Sequence, residues 1–217
     1  MKEILEFLNQ LSHHNQKEWF DQNRTTYESC RNQILFITEV LIQEIRQFDT
    51  SIPALNPKEC VYRINRDVRF STDKSPYKTN FGVFISPEGR HSHKAGYFIQ
   101  IEPGQSFAGG GSWRPPSPLL RGIRTKIDKN PDEFRDLINR PSFRKYYSSI
   151  EGEQLKTAPK GFDKTTPHLD LLRYKSYVFT RELSDQFLLT DDWLKAILDG
   201  FEQLAPVNRF LNLTFDD

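Results

Sequence analysis

Between Arg63 and Lys78 the chain reads RINRDVRFSTDKSPYK, with Arg63, Arg66, Arg69, Lys74 and Lys78 set against only Asp67 and Asp73. A guanidinium presents a planar fork of donors that matches a carboxylate or phosphate, and several forks converging on one surface hold an anion by charge-assisted bonds. These five cations are candidate ligand-binding residues, with Tyr77 among them and Asp67 and Asp73 placed to orient the forks. The same residues admit a structural account: Arg63, Asp67 and Arg69 as a salt-bridge ladder across a sheet, with Lys74 and Lys78 solvated. Charge clusters of this kind mark sites in only some proteins. A third account makes Asp67 or Asp73 a general base in a hydrolase or transferase acting on a phosphorylated substrate, with arginines stabilising developing charge. No nucleophile or metal set accompanies it.

Other residues capable of chemistry are more scattered. Lys160, Lys175 and Arg173 make a second cationic area, within a stretch from Arg144 to Arg181 that holds eight cations and four anions. Gly109, Gly110 and Gly111 offer backbone N–H groups to a phosphate but lack the spacing of a P-loop, and strand glycines more often mark a bulge or a close backbone approach. His91 and His93 share one side of an extended segment, without the third and fourth ligands that zinc requires. His13 and His14 are adjacent and poorly arranged for a shared ligand. Cys30 falls on a helical stripe and reads as a small core residue. Neither a metal nor a cofactor is expected.

The elements that position these residues follow from periodicity. Tyr27, Cys30, Ile34, Ile37, Leu41, Ile45 and Phe48 recur at three- and four-residue steps, which predicts a long amphipathic helix. Ile4, Leu5, Leu8 and Leu11 predict a shorter helix before it, and Lys17 to Asn23 another helical turn carrying Trp19 and Phe20 as anchors. Pro53 and Pro57 end this helical part.

The period then changes. Tyr62, Ile64, Val68 and Phe70 alternate with Arg63, Asn65, Asp67 and Arg69, which predicts a strand with the cations on one face. Arg66 breaks the alternation, so a core-facing position would require a partner such as Glu18, Glu28 or Glu102. Phe81 to Ile85 and Gly96 to Glu102 read as strands joined by a turn-rich piece from Ser86 to Lys94, and Ser106 to Trp113 as a further strand. Helices are expected at Pro118 to Lys129, at Pro131 to Asn139 and at Asp191 to Leu204, the last burying Leu194, Ile197, Leu198 and Phe201. A late strand is expected at Ser176 to Glu182. The sum is an α+β fold: a central antiparallel or mixed β-sheet flanked by N-terminal and C-terminal helices. One domain is expected over 1–217, helical to about 52, sheet-rich from about 58 to 114, and mixed from about 116 to 213.

Composition restricts the function classes. The chain has 217 residues, 36% hydrophobic and rich in Phe and Tyr, which is incompatible with a disordered chain. Thirty Lys and Arg against 29 Asp and Glu leave a net charge of +1, so nothing attracts polyanions globally and any anion site must be a patch. From Ser184 to Asp217 seven acidic residues face Lys195 and Arg209, a surface suited to a basic partner. The apolar run from Ile34 to Ile42 is interrupted by Glu39 and is too short to span a bilayer, and the opening residues carry no secretory pattern. Two cysteines do not form a disulfide framework. A cytoplasmic protein without a membrane partner is expected.

Several strings occur in a fixed order: KEWFDQNR (Lys17 to Arg24), RINRDVRFSTDKSPYKTNFG (Arg63 to Gly82), GYFIQIEPG (Gly96 to Gly104), GGGSWRP (Gly109 to Pro115), APKGF (Ala158 to Phe162) and LLRYKS (Leu171 to Ser176). Together they resemble the domain of unknown function 2461 family, from about Ile4 to Leu211. The resemblance implies a widespread soluble domain and supplies no catalytic residue. One departure matters: after the Pro-Lys-Gly-Phe element the family has an acidic residue, a histidine and a proline, where this chain has Thr165-Thr166-Pro167-His168. If the histidine before that proline serves as a base in relatives, this chain could not use one in the same way, and His168, two positions on, is the only substitute the segment offers. The leading expectation is recognition of a phosphorylated small molecule or a nucleic-acid backbone by the Arg63 to Lys78 segment. An enzyme and a non-catalytic interaction domain are its rivals.

Overall fold

The computed structural model describes residues 1–212. Its N-terminal part is helical as the three- and four-residue spacing requires: α1 (Lys2–His13), α2 (Lys17–Gln22) and α3 (Arg24–Phe48). On α3 the stripe Cys30, Ile34, Leu41 and Ile45 is buried, and Tyr27, Ile37 and Phe48 pack against the core from its margin. The short α4 (Pro57–Cys60) is started by Pro57 and capped by the Asn56 carboxamide, which accepts from the Lys58 N–H at 3.0 Å.

Four strands follow: β1 (Phe81–Ile85), β2 (Gly96–Ile101), β3 (Ser106–Ser112) and β4 (Tyr177–Leu183). They form one sheet in the order β1-β2-β3-β4, every pair antiparallel, which decides between the antiparallel and mixed alternatives. The connection from β3 to β4 holds α5 (Ser117–Lys129), α6 (Pro131–Asn139), α7 (Pro141–Arg144) and α8 (Leu169–Leu172). The chain then runs through α9 (Asp185–Leu188) into α10 (Trp193–Asn212). The acidic residues Asp216 and Asp217 lie outside the described residues.

Strand alternation separates the two faces of the sheet. Phe81, Val83, Ile85, Tyr97, Ile99, Ile101 and Ala108 are buried on the inner face, where α10 packs on β3 and α3 on β1. The outer face carries Phe84, Phe98, Gln100 and Phe107, all half-buried, and the register sets Phe84 opposite Phe98 and Gln100 opposite Phe107. A buried Phe or Leu contributes about 1.5–3 kcal/mol, so the inner face with its helices supplies most of the stability.

Two polar ties fix the inner layer. The Tyr97 hydroxyl donates to the buried Asp49 carboxylate at 2.6 Å, joining the end of α3 to β2. Asn208 and Asn212 of α10 donate to the carbonyls of Gly96 and Ala95, and Asn212 accepts from the Ala95 N–H.

The last helix continues eight residues beyond the expected end at Leu204. Pro206 removes one helical hydrogen bond, a cost of about 3 kcal/mol. Burial of Val207, Phe210 and Leu211 beyond it outweighs that cost. Leu194 and Leu198, expected in the core, are half-buried at its margin. No described helix is long and apolar enough to cross a membrane.

Candidate functional site

Tyr62 to Phe70 is not a strand. Only single rungs occur there: Val61 opposite Val83, which attaches the segment to the edge of β1, and Asn65 opposite Tyr77. The segment folds back on itself, with the Lys78 N–H donating to the Ile64 carbonyl at 2.8 Å and the Arg66 N–H to the Pro76 carbonyl at 2.9 Å. These bonds make a narrow neck that closes a loop from Asp67 to Ser75. Alternation alone suggested a strand, but Phe70 is 96% exposed at the loop tip, where an inward apolar position was expected.

The neck is held by the N-terminal helices. Asn15 donates to the Tyr77 carbonyl at 3.0 Å and accepts from its N–H at 3.1 Å, satisfying one residue's backbone as a strand would. The Tyr77 ring stacks on Phe20 at 4.0 Å between centroids, and Phe20 in turn meets Phe7 and Tyr27. Tyr77 is thus an anchor of the loop, buried among rings.

Three of the five cations are consumed inside the loop. Arg69 donates from Nε and Nη2 to Asp67, the latter at 2.6 Å. Arg66 pairs with Asp73 and Ser71, so Glu18, Glu28 and Glu102 play no part in its neutralisation. Lys74 donates to the Val68 carbonyl at 3.0 Å. The pairs are local to the loop rather than a ladder across the sheet. Asp73 also accepts from the Ser75 hydroxyl and N–H, and these bonds with Arg66 hold its carboxyl well below the usual range. The bonds from Arg69 lower Asp67 in the same way. Carboxylates stabilised like this are weak proton acceptors, which disfavours the general-base role.

Arg63 and Lys78 remain. Arg63 is exposed and makes no hydrogen bond or ion pair among the described residues. The Lys78 ammonium lies 5.4 Å from the centre of the Tyr62 ring. Burial lowers its pKa, and the charge of Arg63 lowers it further. Among the described residues neither of these neighbouring cations at the rim of the outer sheet face makes an ion pair, although the charge of Arg63 reaches Asp67 and helps to lower its pKa. Beside them Tyr62, Phe98 and Phe107 form a row, with centroid separations of 6.4 and 5.4 Å. Glu102 is occupied by Thr79 and Gln100. Phe98 and Phe107 were legible as strand residues in the sequence; their signal as site residues is their outward position opposite the cations.

The second cationic area is separate. Lys175 pairs with Glu153 at 2.8 Å, Lys160 is exposed in the turn before α8, and no hydrogen bond or ion pair links either to the Arg63 to Lys78 segment among the described residues. His168 lies 3.5 Å from Asp128. Gly109 and Gly110 sit in a strand paired on both sides, and a Cβ on either would fall 2.1–2.2 Å from a neighbouring carbonyl oxygen, that of Phe179 or of Gly96. Close backbone approach, rather than phosphate contact, explains them. His91 and His93 are exposed, and among the described residues no group of three or more His, Cys, Asp or Glu is arranged to hold a metal. Cys30 and Cys60 are buried, and burial pushes both thiols up to about 11, which makes them poor nucleophiles.

Neither a curated protein nor a solved structure matches the chain. A family model does, over residues 3–210, and its span takes in the neck, the loop and the whole sheet. The chain belongs to the family described as conserved hypothetical protein (DUF2461).

Proposed function

We propose that the protein binds a nucleotide-type anion on the outer face of its sheet, with phosphate on Arg63 and Lys78 and a ring against Tyr62, Phe98 and Phe107. The observation that carries this reading is the pairing pattern: Arg66, Arg69 and Lys74 are engaged within the loop, whereas Arg63 and Lys78 make no ion pair among the described residues. Phosphate oxygens accept strongly from both cation types, and rings on an open antiparallel sheet offer stacking surface that tolerates any base. Two unpaired cysteines suit a reducing compartment, and we place the protein in the cytoplasm.

Titration of the full chain with adenosine monophosphate and with a labelled single-stranded oligonucleotide of about ten nucleotides, at two salt concentrations, tests the reading. Binding should weaken with salt. It should fall about a hundredfold or more in Arg63→Met with Lys78→Met, each charge-assisted bond contributing about 1.5–3 kcal/mol, and hold in Arg69→Met. Binding of the oligonucleotide alone assigns the site to nucleic acid; binding of the mononucleotide alone assigns it to small phosphorylated ligands. Affinity indifferent to Arg63 and Lys78 overturns the proposal.

The exposure of Phe70 favours a second reading. Its ring stands at the tip of a loop braced by Arg66 with Asp73, and Arg69 lies 5.8 Å from its centre. A rigidly presented aromatic suits contact with another protein. Phe70→Ala should then abolish capture of that partner and leave nucleotide binding intact.

A further inference from the structure

A cleft of about 310 Å³ opens where α6, the end of α7, α8 and β4 meet. Three arginines line it, one from each of three separate segments: Arg135 from α6, Arg144 from the end of α7 and Arg173 just after α8. Arg135 donates to Asp170 at 2.7 Å, and Arg144 donates to the Asn139 carboxamide at 2.7 Å. Arg173 differs from both. Its guanidinium makes no hydrogen bond or ion pair among the described residues, and its Nε is withdrawn from solvent without an acceptor.

We propose that this cleft binds a small organic phosphate monoester, with Arg173 as the principal donor and Arg135 and Arg144 completing the charge. Three guanidiniums against the single carboxylate of Asp170 leave an excess of two positive charges, the complement of a phosphate monoester near neutral pH. A buried donor without an acceptor is unfavourable, and an oxyanion that accepts from Nε removes the penalty while contributing a charge-assisted bond. The pairing of Arg135 with Asp170 fixes one fork in orientation. Ile138, Ile150 and Leu171 supply apolar wall beside the charges, so the phosphate carries a compact apolar group. The volume is near the lower end, about 300 Å³, of pockets that enclose small molecules, which restricts that group to the size of a single ring or short chain. The cleft shares no residue with the Arg63 and Lys78 surface, so either reading can fail without the other.

Calorimetric titration of the full chain with phenyl phosphate and with inorganic phosphate, in chloride buffer, tests the proposal. Phenyl phosphate should bind saturably and more tightly than inorganic phosphate. Arg173→Met, which keeps the aliphatic stem, should weaken binding about ten- to a hundredfold, the loss expected for one charge-assisted bond, and should leave the ligand-free melting temperature unchanged or higher. Arg144→Gln should weaken binding in the same direction, providing an independent reading if Arg173→Met does not fold. Arg63→Met should bind phenyl phosphate like the natural chain. Absence of saturable binding up to about 10 mM, a Kd unchanged in Arg173→Met, or a loss in Arg63→Met instead would overturn the assignment. Equal affinity for inorganic and phenyl phosphate would overturn the apolar part of the pocket.

Discussion

The segment from Arg66 to Ser75 and the cleft among Arg135, Arg144 and Arg173 both gather arginines, but they treat charge in opposite ways. In the loop each arginine finds a carboxylate within seven residues of itself: Arg69 takes Asp67 and Arg66 takes Asp73. In the cleft one carboxylate stands among three guanidiniums, and among the described residues the side chain of Arg173 makes no hydrogen bond or ion pair. The denser run in sequence is the more nearly neutral surface in space. What distinguishes a site from a brace is which cations are left unpaired, and that is a property of the fold.

The comparison can be attacked first at the neck that holds the loop. Phe20→Ala removes the ring stacked under Tyr77 and should destabilise the protein by about 3–5 kcal/mol in denaturant unfolding. A loss below about 1 kcal/mol would mean that the loop is not anchored through its ring. Asn15→Ala should cost about 2 kcal/mol, two backbone bonds at roughly 1 kcal/mol each, and should speed hydrogen exchange at the Tyr77 amide. An unchanged exchange rate there would break the account of the neck.

Smaller effects sharpen the contrast. Arg66→Met should lower the melting temperature by less than about 3 °C, since the pair is partly solvated, whereas Arg173→Met should not lower it. A larger drop for Arg173 than for Arg66 would reverse the assignment of brace and site. The least effect is in the acid limb. Asp67 and Asp73 have folded pKa values below their ordinary value of 3.8, so their contribution is present above that pH and is lost as pH falls through the folded values. Melting curves of Asp73→Asn and the natural chain should therefore begin to approach each other below about pH 4 and meet only as pH falls through the folded value. A gap that widens on acidification would contradict the sign.

Elements with an unbroken period were legible in the sequence. Pro131–Asn139 begins on a proline at the first helical position, and Phe81–Ile85 is an apolar run between turns, so local residues carry enough information. Tyr62 to Phe70 misled because alternation is necessary for a strand and not sufficient: a strand also needs a neighbour along its length, and here only Val61 and Asn65 find one. Arg66, the residue that broke the alternation, was the local sign of a loop. Arg63 and Lys78 were within reach of sequence reasoning, but that neither makes an ion pair among the described residues was not, because it depends on where Glu102 and the loop carboxylates go. Arg135 and Arg144 lay beyond it altogether, since their convergence on Arg173 is produced by the packing of three segments.

The asparagines of α10 bear on the order in which the chain assembles. Asn212 bonds Ala95 across 117 positions, and Asn208 bonds Gly96 across 112. The β1 to β3 meander is complete in sequence by Ser112, long before α10 has been made. During synthesis α3 is already available for β1, whereas the inner face over β3 waits uncovered, and pairing of these strands precedes closure of the core by α10. Contacts this distant in sequence carry a loop-closure cost and place docking of α10 among the late steps of folding. Stalling synthesis before Trp193 should yield a chain with a formed meander that binds hydrophobic dyes and is held by chaperones.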